Sequence, residues 1–271
     1  MSEDAGNAAG LIDPLDLPDW VIYEDASLLV INKPALVVCH PSKHGPWSSL
    51  VGAAREYLGQ KTVHLVSRLD RETSGVVVLA RDPSTAARLQ RAMEQRQIRK
   101  TYLAVLTGML AGPVTVDRAL GPDRRSRVSV RSAVVEPASA GAQSAVSHFE
   151  PLASGGGFTL ARVRIETGRK HQIRAHALWL GHSVVGDKLY GPDERLYLEF
   201  AEHGWTSRHV ETLLLPRQAL HCHEIDLRPA GEPHVFHAPL PIELRLFCRS
   251  RMGIDVEDPR LAEFFRAPPR R

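Results

Sequence analysis

A run of aliphatic residues without polar alternation constrains the fold more than any other feature of the sequence. It reads VVVLA at residues 76–80, and its first three residues are β-branched valines. Strands that are covered on both faces have this composition, whereas half-exposed strands alternate apolar with polar residues. The run therefore predicts a buried strand with protein on both faces.

Further strands are predicted on both sides of this run. Residues 20–34 have two apolar runs separated by EDAS, which predicts a hairpin. KTYLAVLTG predicts a strand that ends at Gly108, and residues 144–168 predict a second hairpin around three consecutive glycines. Late strands are predicted at QALHCHEIDL and at IELRLFC.

Three amphipathic segments predict helices. They are PWSSLVGAAREYLGQ with Ser48 as the N-cap, DPSTAARLQRAMEQRQ with Ser84 as the N-cap, and RKHQIRAHALWLG. Strands outnumber helices, and the regular strand and helix alternation of a doubly wound fold is missing. The sequence therefore predicts an α+β fold with a large central mixed, mainly antiparallel sheet flanked by helices.

Length and composition suit one large or two smaller globular lobes with a real core. The chain has 271 residues, 43% of them hydrophobic, and a net charge of +3. We expect a flexible tail over residues 1–19, a domain over 20–250 and a partly flexible extension over 251–271. Three scattered cysteines and the lack of a long apolar segment predict a soluble, cytoplasmic chain without disulfides or a membrane anchor, and a monomer is the simplest expectation.

Asp70 is the candidate reactive group, because it lies between Arg68 and Arg71 on a tight loop that leads into the buried strand. Aspartate is common in turns, so a role as a turn residue is the plain alternative. In an extended segment, however, Arg68 and Asp70 point the same way. A neighbouring guanidinium lowers a carboxyl pKa by about 1 to 3 units, which would keep Asp70 ionised as a nucleophile or base.

Basic residues cluster at RVRIETGRKHQIRAH, where Gly168 permits a sharp turn from a strand into a helix. We expect Arg169, Lys170 and His171 in the first helical turn, where side chains and helix dipole attract phosphate. Arg174 lies one turn further, in reach of a pocket. A solvated basic helix face is the equally weighted alternative.

A second basic group, RRSRVSVR at residues 124–131, has four arginines and no acid. The preceding helix and strand add further basic residues, namely Arg88, Arg91, Arg96, Arg99 and Lys100. Such clustering in a nearly neutral chain suits a nucleic-acid backbone. Aromatic residues make up only 6% of the chain, so extended base-stacking surfaces are not expected, and backbone contacts with a single flipped base fit better.

Cofactor and metal motifs are missing from the sequence. Neither a phosphate-binding GxxxxGK[ST] loop, a dinucleotide GxGxxG turn nor a GxSxG elbow occurs. Strand alternation sends His221 and His223 to the same face, but no third ligand can be identified, so no metal site is predicted.

The chain closely resembles the RluA-like family of RNA pseudouridine synthases over roughly residues 20 to 247. The resemblance is carried in order by VIYEDASLLVINKP, RLDRETSGVVVLARD, KTYLAVLTG, ETGRKHQIRAHALWLGHSVVGDKLYG, LHCHEIDL and APLP. It implies a cofactor-free isomerisation of uridine within structured RNA, in loops of rRNA or tRNA, on a domain with a central mixed sheet. With about nineteen residues before the first match, no S4 RNA-binding module is expected.

The resemblance also implies roles for single residues. The family's catalytic aspartate falls on Asp70, its active-site tyrosine on Tyr102, and the arginine that pairs with the catalytic carboxylate on Arg174. The arginine associated with filling the base stack falls on Arg68. Together with it, the residues expected to bind RNA are Lys33, Arg71, Arg169, Lys170 and His171.

Two positions depart from the family pattern. Ser67 stands where histidine is usual before Arg68, and ALVV follows Lys33 and Pro34 where KPxG is usual. The first departure predicts altered packing or substrate choice rather than a different reaction, and the second concerns the fit of that loop.

Rival functions remain at this point. The main one is an inactive RNA-binding protein on the same scaffold, and the other is a phosphatase with an aspartate nucleophile, although no DxD follows an apolar run. For the isomerase, an ionised Asp70 could attack the sugar C1′, remove a sugar proton or add to the base, and the sequence does not choose among these routes.

Overall fold

The computed structural model describes residues 11–40, 45–259 and 261. Within them lie seven α-helices and twelve β-strands. The helices are α1 Leu17–Trp20, α2 Leu50–Leu58, α3 Pro83–Glu94, α4 Gln172–Trp179, α5 Arg195–His203, α6 Ser207–Leu213 and α7 Ile242–Met252. The strands are β1 Val21–Glu24, β2 Leu28–Lys33, β3 His64–Leu65, β4 Ser74–Ala80, β5 Arg99–Thr107, β6 Val114–Asp117, β7 Leu120–Pro122, β8 Ser132–Val134, β9 Val146–Gly155, β10 Phe158–Ile165, β11 Leu220–Asp226 and β12 Val235–His237.

The described residues form two compact units, and the chain enters each of them twice. Among the described residues, the N-terminal unit contains those from 11 to 100 and from 221 to 240, and the central unit contains those from 101 to 220 and from 241 to 261. A division into two lobes is one of the two organisations expected from length and composition, and the assignment of residues 20–250 to a single domain stays a prediction.

The N-terminal unit is built around β4, the strand predicted from VVVLA. All seven residues of β4 are buried, which confirms that prediction. β4 pairs antiparallel with β2 and parallel with β11, while β1 continues the sheet beyond β2. At Gly75, with φ of 113°, a Cβ atom would lie 2.1 Å from the carbonyl oxygen of Cys222, so only glycine allows this close approach of β4 to β11.

The first hairpin and the next two helices are confirmed, but the predicted caps are wrong. Ser49 caps α2 by accepting from the backbone N–H of Gly52 (3.2 Å), because Ser48 lies in a 3-10 turn before the helix. Asp82 caps α3 by accepting from the backbone N–H groups of Ser84 and Thr85 (both 2.9 Å). Its carboxylate stands ahead of Pro83, which favours the first helical position.

The central unit has the strand order β5-β10-β9-β6 and a separate β7–β8 pair. β9 and β10 form the predicted hairpin, with its turn at Gly156 and Gly157. α4 packs on β7 and the following loop through a cluster of buried side chains, namely Leu120, Val128, Ala145, Ala175, Leu189 and Tyr190. The start of α4 and the β7–β8 hairpin therefore share one core.

The strand predicted at IELRLFC is wrong, because this segment is the start of α7. Its buried residues are Leu244, Phe247, Cys248 and Met252, which recur at helical spacing. Phe247 packs edge-on against Phe158 of β10, with ring centroids 5.2 Å apart.

Helices α5 and α6 were not predicted, and a lysine packs against aromatic residues of α5 and of the link between the two helices. The Lys188 ammonium lies 4.8 Å from the ring centroid of Phe200 and 5.4 Å from that of Trp205. It also donates a hydrogen bond to the carbonyl oxygen of Pro216 (2.7 Å). Cation–π interactions of Lys188 with these two rings therefore attach α5 and the link after it to residue 188.

The predicted α+β class with a large, mainly antiparallel sheet and flanking helices is confirmed. Part of the expected N-terminal tail is packed, since Ile12 and Leu17 are buried and the N–H of Ile12 bonds to the carbonyl oxygen of Trp47 (2.8 Å). Residues 1–10 and most of the expected extension, residue 260 and 262–271, lie outside the described residues. No helix in the described part has both the length and the hydrophobicity to cross a bilayer.

Candidate active site

Asp70 lies on the loop between β3 and β4, half-buried, with exposed Arg68 before it and half-buried Arg71 after it. The loop turns because the N–H of Thr73 bonds to the carbonyl oxygen of Asp70 (3.1 Å), and Leu69 is buried beside it. The predicted tight loop ahead of the buried strand is confirmed. A carboxyl group that is partly exposed on such a loop remains accessible to a substrate.

Lys33, the last residue of β2, ties this loop to the preceding one. Its side chain is fully buried, and its ammonium donates to the carbonyl oxygens of Pro34 (2.9 Å), Val37 (2.8 Å) and Arg71 (3.1 Å). A buried ammonium is stable only with such partners, so both loops depend on it for their position. The burial of Lys33 favours a positioning role over direct contact with RNA.

Two further contacts join the same pair of loops. Arg71 Nε donates to the carbonyl oxygen of Leu36 (3.3 Å), and the Cys39 thiol lies 3.5 Å from the carbonyl oxygen of Leu69. The backbone on both sides of Asp70 is therefore held by side chains from residues 33–39 or by contacts to them.

Below the loop, Ser74 at the start of β4 is anchored to β11. His221 Nε2 donates to the carbonyl oxygen of Ala238 (3.1 Å), and its Nδ1 is hydrogen-bonded to the Ser74 hydroxyl (2.9 Å). His223 Nδ1 bonds to the same carbonyl oxygen (2.8 Å). The two histidines share a face, as predicted, and these contacts give them a structural role.

In the central unit, Arg174 is buried on α4 and forms a two-pronged ion pair. Its Nε donates to Asp187 Oδ2 (2.6 Å) and its Nη2 to Asp187 Oδ1 (2.9 Å). Burial alone would raise the pKa of Asp187, but Arg174 and the backbone N–H groups of Leu189 and Tyr190 outweigh it and lower that pKa. Asp187 therefore stays ionised and fixes the orientation of the guanidinium.

Tyr190 supports Arg174 from another side. The guanidinium carbon lies 4.9 Å from the centroid of the Tyr190 ring. The Tyr190 hydroxyl donates to the carbonyl oxygen of Ser132 (2.9 Å) and accepts from the N–H of Ser132 (2.8 Å) and from His171 Nδ1 (3.1 Å). Arg174, Tyr190, His171 and Asp187 thus form one buried polar network.

The segment before α4 differs from its prediction. The helix begins at Gln172, because His171 has φ of 56°, a left-handed conformation that ends helical geometry. Arg169 and Lys170 therefore precede the helix and are exposed, while His171 is buried. Gln172 closes the turn by accepting from the N–H of Arg169 (3.1 Å).

Strand β5 carries Tyr102, which is 5% exposed. Alternation along this strand also buries Lys100, so the interpretation of Lys100 as part of a basic surface is wrong. Burial lowers the pKa of Lys100, while the thiols of Cys222 and Cys39 act in the opposite direction.

The structure distributes the predicted site residues over both units. Asp70, Arg68, Arg71 and Lys33 belong to the N-terminal unit, and the others to the central unit, namely Tyr102, Arg169, Lys170, His171 and Arg174. Within the central unit, His171 and Arg174 meet at Tyr190. The pairing of Arg174 with Asp70 and the RNA contacts stay predictions.

Asp187 and Tyr190 were missed as functional candidates. The sequence contains a signal for Asp187, since VVGDKLYG places this single acid within a largely apolar stretch, and Tyr190 lies in the same stretch. Burial of a lone carboxylate requires a cationic partner, but the sequence alone does not identify that partner as Arg174.

Comparison with known proteins identifies the family. A family model described as RNA pseudouridylate synthase matches residues 27–179, more than half of the chain. An uncharacterized RNA pseudouridine synthase of Chlorobaculum parvum is 34% identical, over 86% of this chain and 74% of its own. The ribosomal large subunit pseudouridine synthase D of Xanthomonas campestris is 35% identical, over 93% of this chain and 74% of its own.

Among solved structures, human RNA pseudouridylate synthase domain containing 4 has a TM-score of 0.69 to this chain at 26% identity, covering 92% of this chain and 95% of that one. The chain therefore belongs to the RluA-like family of RNA pseudouridine synthases.

Proposed function

We propose that this pseudouridine synthase isomerises specific uridines in loops of structured RNA, with Asp70 as the catalytic residue and without a cofactor. The observation that carries the proposal is the position of Asp70. It is half-exposed on a loop whose backbone is held by Lys33, Arg71 and Cys39. A reactive carboxylate works best when its support is already fixed before the substrate arrives.

The reaction itself needs a base-sized site and a carboxylate. The N1–C1′ bond of the uridine breaks, a C5–C1′ bond forms, the C5 proton leaves and N1 gains a proton. Electrons and atoms balance without an oxidant. Asp70 acts by attack on C1′, by removal of a sugar proton or by addition to the base, and the proposal holds for each route.

Tyr102 and Arg174 complete the proposed catalytic set. We place Tyr102 against the uracil ring, where it assists loss of the C5 proton. Arg174 keeps Asp70 ionised and oriented, because a guanidinium beside a carboxylate favours the charged form. Asp187 and Tyr190 act as positioning residues through Arg174, since both contact its guanidinium.

Ribosomal RNA of the large subunit is the first candidate substrate. Relatives that are 31–35% identical are named ribosomal large subunit pseudouridine synthase D. Loops are favoured because flipping a base out of a stack costs a few kcal/mol, and least where the base is unpaired. Exposed Arg68, Arg169 and Lys170, with half-buried Arg71, would bind the RNA backbone.

The test is a map of pseudouridines in total RNA from cells with and without the gene, read by carbodiimide labelling and primer extension. We expect one or more sites to disappear in the deletion strain and to return with the wild-type gene. Asp70→Asn should restore none of them while the purified variant still binds RNA.

Glu211→Gln is the matched control, because it also removes one carboxylate but lies exposed on α6. It should restore every site. Restoration by Asp70→Asn would reject Asp70 as the catalytic group. If no site changes in the deletion strain, the inactive RNA-binding protein becomes the better reading.

A further inference from the structure

An exposed tryptophan ends helix α4. Trp179 is 49% exposed, and the guanidinium carbon of Arg118 lies 5.4 Å from the centroid of its ring. Arg118 is itself exposed. A large aromatic face left in solvent beside an arginine plane has the geometry on which proteins stack unpaired nucleobases.

Two cavities in the central unit meet at this side chain. The larger has a volume of about 720 Å³ and is lined by Trp179, Arg118, Asp117 and Glu136 among others. The smaller, of about 330 Å³, is lined by Trp179 and Arg125. Both volumes lie within the range of about 300 to 1,000 Å³ in which small planar ligands are bound.

Around Trp179, exposed positive charges lie in the loop between β7 and β8, whereas negative charges line the larger cavity. Arg124, Arg125 and Arg127 in the loop between β7 and β8 are exposed, and no carboxylate in the described part of the chain pairs with their side chains. In contrast, Arg131 is paired with Asp123 (3.2 Å) and Glu194 (3.0 Å). The three exposed arginines are therefore available to phosphate groups.

The larger cavity carries carboxylates instead. Asp117 and Glu136 line it together with Trp179. These anions disfavour a phosphate inside the cavity and favour a group that presents N–H donors, such as the edge of a nucleobase. Base inside and phosphates outside is the arrangement expected for an extruded nucleotide.

We propose that Trp179 and Arg118 stack a second unpaired base of the RNA substrate, distinct from the uridine that reacts, while Arg124, Arg125 and Arg127 bind the adjoining phosphates. This inference rests on the proposed function and adds to it a determinant for single-stranded RNA next to the target. The low aromatic content of the chain predicts no extended base-stacking surface, and a single tryptophan that stacks one base is compatible with that expectation.

The test measures binding of a fluorescein-labelled 12-nucleotide oligouridylate by fluorescence anisotropy. Trp179→Ala should weaken binding about 5- to 150-fold, the loss expected for one stacked base. Trp179→Phe should retain most of the affinity. A 12-base-pair RNA duplex should bind the wild type and Trp179→Ala equally, because its bases are already stacked.

Trp205→Ala is the matched control, since Trp205 is 36% exposed in the same unit but packs against Lys188. It should leave oligouridylate binding unchanged. Circular dichroism and the melting temperature establish that each variant is folded. Unchanged oligouridylate binding by a folded Trp179→Ala would overturn the proposal and would favour a protein partner for this surface. An equal loss for the duplex would overturn it as well.

A second readout does not require any variant to fold. An oligouridylate that contains 5-iodouridine should crosslink to wild-type protein under ultraviolet light, with mass spectrometry placing the bond on Trp179. Crosslinks confined to other residues would contradict the platform. Neither measurement requires turnover, so the platform can fail while the isomerase reading stands, or hold while Asp70 proves dispensable.

Discussion

Leu36 holds a backbone conformation that leucine rarely adopts. Its φ is 71°, in the left-handed region, and its side chain is 51% exposed. The family pattern KPxG has glycine at this position, which explains why the usual residue is the one without a Cβ atom. Arg71 donates a hydrogen bond to the carbonyl oxygen of Leu36. The strained residue therefore lies in the loop of residues 34–39, which contacts the Asp70 loop.

Leu36→Gly should therefore stabilise the protein by about 1 kcal/mol, the strain energy of the left-handed conformation less the entropy that glycine adds to the unfolded chain. Urea unfolding monitored by circular dichroism measures the change. Leu36→Ala is the control and should bring no gain, because alanine keeps the Cβ atom. A midpoint that moves equally in both variants would locate the effect in the leucine side chain instead.

The Asp187 carboxylate makes the second residue-level prediction. Asp187→Asn removes the charge that Arg174 pairs with while keeping the shape, and breaking a buried ion pair costs about 3 to 5 kcal/mol. Because Asp187 acts through Arg174, the turnover number on the mapped RNA should fall while the Michaelis constant changes little. Asp193→Asn, which removes a more exposed carboxylate, should leave the turnover number unchanged.

The same pair predicts a pH dependence with a definite sign. The pKa of Asp187 is lowered in the folded protein, so its contribution to stability is complete above the unfolded pKa of about 3.9 and disappears as the pH falls through the folded pKa. The stability difference between wild type and Asp187→Asn should shrink below about pH 4. A difference that stays constant from pH 7 to pH 3 would contradict this assignment.

At the residue scale, the sequence locates groups better than it locates their partners. Asp70 could be singled out because two arginines and a buried strand surround it. Arg174 could be singled out because it lies one turn beyond a basic cluster and because the family resemblance places an arginine with this role there. Asp187 could not be assigned, since it lies thirteen residues beyond Arg174 and only the folded chain brings them together. Likewise, nothing in the local sequence indicated that the Lys33 ammonium would donate hydrogen bonds to three backbone carbonyl groups.

Among the elements, those with one unambiguous period were predictable. The β4 run, the β9–β10 hairpin and α2 to α4 are confirmed, whereas α7 was mistaken for a strand. Its first residues alternate because Ile242 and Leu246 are apolar, yet both are more than half exposed. The true core face follows the helical spacing of Leu244, Phe247 and Cys248, so exposed apolar residues produced the false alternation.

The cap of α2 supplies a prediction at this scale. Ser49→Ala removes the acceptor for the N–H of Gly52 and should destabilise the protein by about 1 kcal/mol. Ser49→Gly should cost at least as much as Ser49→Ala, because Ser49 is fully buried and glycine admits no water to the N–H of Gly52. Thermal unfolding of both variants measures the two losses. A loss of only a few tenths of a kcal/mol for Ser49→Gly would mean that water replaces the hydroxyl at this end of the helix.

For the whole molecule, the winding of the chain was not readable from the sequence. The chain leaves the N-terminal unit after residue 100 and returns to it at residue 221, so β11 pairs with β4 across a long stretch of sequence. Local patterns predict each strand, but the choice of neighbour depends on close approaches such as that at Gly75. Neither unit is a continuous segment, so neither is expected to fold when excised as one piece.

Charge at the scale of the molecule leads to the last prediction. Lys and Arg number 34 and Asp and Glu 31, so the net charge of +3 attracts RNA only weakly, and the position of the cations must decide. Each phosphate contact on a single strand contributes about 0.7 to the slope of log affinity against log salt. Replacing Arg124 and Arg125 by Gln should therefore lower that slope for the 12-nucleotide oligouridylate by about 1.4.

The comparison variant replaces Arg249 and Arg251, which are exposed on α7, by Gln. It changes the net charge by the same amount, but because these side chains lie outside the proposed RNA surface, the slope should not change. Anisotropy titrations between 50 and 300 mM potassium chloride, about a two-fold change in screening length, provide the slopes. If both double variants lower the slope alike, the attraction depends on net charge, and the loop between β7 and β8 has no privileged contact with the RNA backbone.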